Sequence, residues 1–140
     1  MAWADLVTQI ESLLEGLGLA PAPELFNIQL VPATLGDKNY CILADGLGPN
    51  IRFNTDDRFY PFELLRVSVI FELGNNTSAG REAAQGSIED IVRTVVNPAK
   101  RSTKTHKVNF TGARSRLINP SGFWIIYDLT FSVESELMYL

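Results

Sequence analysis

His106 and Cys41 are the only histidine and the only cysteine in the chain. With one of each, no Ser-His-Asp or Cys-His arrangement that draws on a second histidine can exist, and a closed N/S zinc site lacks its ligands. His106 reads as a solvated side chain in a basic setting. Cys41 sits in the apolar stretch "NYCILA" (39–44), where a small buried side chain is expected rather than a nucleophile. "DGLGPN" (45–50) holds a GxG, but Pro49 follows and no helix opens there, so a turn is expected and not a phosphate loop. Asp56 and Asp57 beside Arg58 read as a hydrophilic turn, because a Mg²⁺ site needs further oxygen ligands. The sequon "NFT" (109–111) reads as coincidental. These residues predict no catalytic group, no metal and no cofactor, and hence no enzyme.

A different chemistry is concentrated in "NPAKRSTKTHKVNFTGARSR" (97–116). It carries Lys100, Arg101, Lys104, Lys107, Arg114 and Arg116 with no acid. The chain has 12 Lys+Arg and 16 Asp+Glu, so the remainder keeps six cations and all 16 acids, a net of −10. A basic segment on an acidic body predicts a contact surface for something negative. Three readings stay open: a solvated loop, a protein–protein contact, or a nucleic-acid module using residues 100–116 with Phe110 as a stacking group. The sequence pI near 4.9 and the single aromatic count against the last. Lys100 and Arg101 also follow a predicted helix, where cations suit the negative end of the dipole.

At 140 residues, 46% hydrophobic and 20% charged, the chain is expected to form one domain over 1–140 with a real core. Its apolar runs fall short of a membrane span. "MAWADLVTQI" has no basic n-region and so does not read as a signal peptide, and a lone cysteine suits a reducing cytoplasm.

The elements follow from periodicity. Trp3, Leu6, Val7, Ile10, Leu13, Leu14 and Leu17 recur every three or four residues, which predicts an amphipathic helix over 2–17 ended by Gly16 and Gly18. "FNIQLV" (26–31), "NYCILA" (39–44) and "NIRFNT" (50–55) predict short strands. "LLRVSVIFEL" (64–73) alternates cleanly and predicts a strand with one buried face. Residues 74–86 read as a mobile loop. "SIEDIVRTVVNP" predicts a three-turn helix, with Ser87 and Asp90 as its capping box and Pro98 as its stop. Residues 105–118 and 123–134 predict one long hairpin around the turn "NPSG". Its strands are about twice the usual five or six residues. Unbroken alternation would put Val108, Phe110, Arg114 and Arg116 on one face, and a bulge near Gly112 would resolve that conflict. Trp124 and Ile126 face away from the regular apolar row and are expected to need cover from a partner.

This order resembles the tail terminator proteins of long-tailed bacteriophages, with tail-completion and neck proteins close behind. The residues that carry the likeness are "WADLVTQIESLLEGL", "LLRVSVIFEL", "SIEDIVRTVV" and "FWIIYDLTFSVESE". The resemblance spans nearly the whole chain in order and pattern, without a sharp motif. It implies an α+β fold: a mixed, mainly antiparallel sheet, an N-terminal amphipathic helix and a second helix packed on it, and a long C-terminal hairpin. It further implies a homohexameric ring in the virion that caps the finished tail tube, stops polymerisation and offers a head-joining surface. Assembly would take place in the host cytoplasm. The implied partners are other copies of the chain, the major tail tube protein and a head–neck connector. DNA would pass through the ring rather than bind it, and no membrane is involved. The alternative within the same particle is a neck or head-closure connector. On this reading Lys100, Arg101, Lys104, Lys107, Arg114, Arg116, Trp124 and Ile126 form a subunit or tail-tube interface.

Overall fold

The computed structural model describes residues 2–53, 58–75, 77–97, 106–118, 123–135 and 137–138. Its elements are α1 (Ala2–Gly16), β1 (Ala20–Pro21), β2 (Asn39–Phe53), β3 (Arg58–Glu72), α2 (Thr77–Val96), β4 (His106–Ile118), β5 (Trp124–Ser135) and β6 (Leu137–Met138). The strands form one sheet ordered β1-β2-β3-β5-β4, with β6 beside β3. Among the described strands only the short β1–β2 pair is parallel. The fold is α+β with a mixed, mainly antiparallel sheet and a C-terminal hairpin, as the sequence led us to expect. Among the described residues no helix is long and apolar enough to cross a membrane.

Both helices cover the same face of the sheet. Leu6, Ile10 and Leu14 of α1 and Ala84, Ile88, Ile91 and Val95 of α2 join one core with Leu65, Val67, Val69 and Phe71 of β3. The alternating row Ile125, Tyr127, Leu129, Phe131 and Val133 of β5 completes it. Leu13, expected in the α1 stripe, is only half-buried, whereas Leu14 is fully buried. α1 ends in a Schellman motif. Gly18 has φ 92°, the Leu19 N–H reaches the Leu14 carbonyl at 3.2 Å, and the Gly18 N–H reaches Glu15 at 3.1 Å. The Tyr40 hydroxyl then donates to Glu15 at 2.8 Å and ties β2 to the end of this helix.

Three expectations are corrected. Residues 77–86, read as loop, are the first half of α2, so the helix has 20 residues and Ser87 lies inside it rather than capping it. The apolar stripe runs back through Ala84, four residues before Ile88, and Gly80 brings the helix against Leu73: a Cβ there would lie 2.8 Å from the Leu73 Cα. Residues 26–31 are not a strand. Asn27 Oδ1 accepts from the Gln29 and Leu30 N–H groups at 2.7 and 2.8 Å, folding the chain back into an Asx turn. The turn expected at 45–49 lies within β2, where the pairing with β3 shifts register between Ala44 and Leu47 and again between Leu47 and Ile51. The expected hairpin turn at 119–122 and the Asp56–Asp57 pair lie outside the described residues.

The bulge near Gly112 is present. Phe110 pairs with Phe131 and Gly112 with Thr130, so Thr111 is the extra residue. Its hydroxyl donates to the Thr130 carbonyl at 3.0 Å. The consequence is a change of face: Val108 and Phe110 stand on the helix side, whereas Arg114, Arg116 and Ile118 stand opposite Asp128, Ile126 and Trp124 on the other side.

Candidate subunit interface

The second sheet face is covered by a strap, residues 22–35, rather than by a helix. Phe26 and Ile28 of the strap cluster with Cys41, Ile70, Ile118 and Ile126. Two buried polar contacts fasten it. The Phe26 N–H donates to Cys41 Sγ at 3.4 Å and the Cys41 thiol donates back to the Phe26 carbonyl at 3.2 Å. Burial pushes the Cys41 thiol above its ordinary range, which keeps it protonated and unreactive near neutral pH. Asp128, buried on β5, accepts from the Ser68 hydroxyl at 2.7 Å and from the Ile28 N–H at 3.3 Å. A carboxylate inside a sheet must be hydrogen-bonded, and here its bonds hold the strap down. At the strap's far end the Lys38 N–H reaches the Ile70 carbonyl at 2.8 Å, and Asp37 accepts from the Glu72 N–H at 2.8 Å.

The strap covers only part of this face. Beside it lies an open groove of about 660 Å³ with Val31, Pro32, Ala33 and Leu35 on the strap side. Arg116, Leu117 and Ile118 of β4 form the opposite side, and Ile70 and Trp124 also line it. Val31 remains 36% exposed beside Leu35, Ile70 and Ile118, so the groove opens among apolar side chains, whereas Leu117, opposite Ile125, turns its side chain to the helix side. Arg116 is its charged lining residue, and Arg114 follows two positions away on the same exposed strand face. β4 ends the described strand order, so the cationic strand is an edge strand.

The expected interface residues separate into three groups. Arg116 and Trp124 line the groove, and Arg114 stands two residues away on the same strand face. Ile126 is 0% exposed within the chain's own second cluster, where the strap supplies cover that was expected from a partner. Lys100, Arg101 and Lys104 lie outside the described residues, and Lys107 is on β4 in register with Glu134. His106 opens β4, within the strand expected over 105–118. The strap wall of the groove escaped the sequence reading. The exposed Leu30 and Val31 directly before Pro32 were its signal, since apolar residues that pack in no regular element need another role.

The helix side has the opposite charge. Among their described residues α1 and α2 carry Asp5, Glu11, Glu15, Glu82, Glu89 and Asp90 against Arg81 and Arg93. Asp90 and Arg93 already pair with each other at 3.4 Å. Among the described residues no three His, Cys, Asp or Glu side chains gather as metal ligands.

No family model and no curated protein matches the sequence. Among solved structures, the chain is similar to one in the virion of a native gene transfer agent particle, at 18% identity and a TM-score of 0.49, covering 96% of this chain and 93% of that chain.

Proposed function

We propose that this chain is a structural subunit of a phage-like virion, a tail terminator whose copies join head to tail into a hexameric ring on the finished tail tube. The observation that carries this reading is the asymmetry of the subunit. One side is an acidic helix layer; the other is a half-covered sheet face ending in an arginine-bearing edge strand. A surface patch that complements a different patch on the next copy generates a closed ring when the rotation closes. Opposite charges on the two patches favour one register over others. The order of elements supports the same reading: a helix, two long strands, a second helix and a long hairpin. Lys100, Arg101, Lys104 and Lys107 extend the basic side of the contact in this proposal. The ring works by shape and blocks further addition of tube subunits, so no reaction is assigned.

Electron microscopy of the purified protein mixed with tail tubes tests this. Rings seated on tube ends, with tube length fixed after their addition, are expected. Rings that bind portal complexes and ignore tubes would move the protein to the neck. Salt-sensitive DNA binding by a monomer, with no ring on either structure, would overturn the assembly reading.

A further inference from the structure

A sheet with two apolar faces is stable when both are covered, and in layered folds the usual cover is a helix. Here α1 and α2 cover one face, while the strap covers only part of the other. The uncovered part is the groove between strap residues 31–35 and β4 residues 116–118. It combines an apolar lining from Ile70, Ile118 and Trp124 with a guanidinium from Arg116. A groove of this composition suits a helix face that presents carboxylates beside small residues, which can approach the apolar lining closely.

We propose that this groove and its Arg114–Arg116 rim receive the outer face of α2 from a second copy of the chain. This rests on the ring reading above and gives that ring its contact. Charge complementarity selects the occupant. Glu82 and Glu89 are both exposed and seven residues apart, so they share one helix face about 10 Å apart. Arg114 and Arg116 share one strand face about 7 Å apart, and arginine side chains are long enough to span the difference. Glu82 and Glu89 stand on the exposed face of α2, away from the buried stripe at Ala84, Ile88, Ile91 and Val95; Gly86 lies between them, and Arg93 on the same face is already paired with Asp90 at 3.4 Å. The next copy's helix therefore becomes a third layer over the open sheet face. Donor and acceptor patches lie on opposite sides of one subunit, so the contact is head to tail.

Charge reversal in both directions tests the pairing. Arg114→Glu with Arg116→Glu, and separately Glu82→Arg with Glu89→Arg, are made in the full chain. Circular dichroism melting checks that each subunit stays folded, since all four side chains are exposed. Sedimentation velocity then reads assembly. Each double reversal is expected to weaken association by roughly tenfold or more, and combining all four substitutions is expected to restore it. Reversed variants that assemble like the parent would overturn the groove contact while leaving the ring reading intact, since another surface would then join the copies. Loss of assembly in both doubles without recovery in the combination would overturn the pairing of these two surfaces. A parent protein that never assembles removes the ring reading itself, and the groove contact with it. Arginine variants that lose DNA binding while assembly is unchanged would assign the rim to nucleic acid instead.

Discussion

Gly80→Ala and Gly86→Ala add the same methyl group to the same helix, yet they should move stability in opposite directions. At Gly80 an ideal Cβ would press on the Leu73 carbonyl oxygen and lie 2.8 Å from the Leu73 Cα and 2.9 Å from its carbonyl carbon. Carbon atoms prefer about 3.5–4.0 Å, so backbone must move. Leu73 cannot move freely, because it is buried in the main core and its N–H donates to the Phe123 carbonyl at 2.6 Å. Forced overpacking of this kind costs about 1–3 kcal/mol. The better helix propensity of alanine returns about 0.8–1 kcal/mol, leaving a net loss of up to about 2 kcal/mol. At Gly86 nothing lies within 4 Å of the added carbon, so only the propensity gain remains, up to about 1 kcal/mol. Urea unfolding followed by circular dichroism separates the two, provided the slope of free energy against urea is unchanged. Equal stabilisation by both substitutions would refute the close approach of α2 to Leu73.

Leu14→Ala removes a fully buried side chain from between α1 and the sheet and should cost about 2–5 kcal/mol in the same assay. Asp128→Ala leaves the Ser68 hydroxyl and the Ile28 N–H without their acceptor. A cost of about 1–3 kcal/mol for each stranded group is expected, with faster hydrogen exchange at Ile28 as the strap loosens. Alkaline pH should destabilise the fold. Burial raises the Cys41 thiol above its ordinary 9.0, and burial with the Glu15 hydrogen bond raises the Tyr40 phenol above 10.0. A raised folded-state pKa means that the stability contribution is complete below the unfolded value and is lost as pH rises toward the folded one. Melting temperature should therefore hold up to about pH 9 and fall above it, and Tyr40→Phe should flatten the part of that fall above about pH 10.

The parts of the fold written in side-chain periodicity were legible. The α1 stripe, the alternation of β3 and β5, and the Ile88–Val95 stripe each bury the expected face. The bulge at Thr111 was legible because the alternative would have placed Arg114 and Arg116 on the helix side of the sheet. The first half of α2 was obscured by Gly80 and Gly86, which resemble loop residues in sequence, although Gly80 serves a close approach that only tertiary structure reveals. Phe26 and Ile28 alternate as a strand would. Their amides go to Cys41 and Asp128 instead, partners 15 and 100 residues away that no local pattern announces. The same distance hid the groove: its basic wall could be read in the sequence, while its strap wall depends on where residues 31–35 are pinned. Ile126 was assigned to a partner because the strap that covers it could not be foreseen.

The most direct test of the central claim is the state of the protein on a tail tube, seen by electron microscopy with the mass of the cap measured. The ring reading predicts a closed hexamer at the tube end, with an open centre and no further tube growth beyond it. A subunit that remains monomeric in solution and binds a finished tube without forming a ring would contradict it.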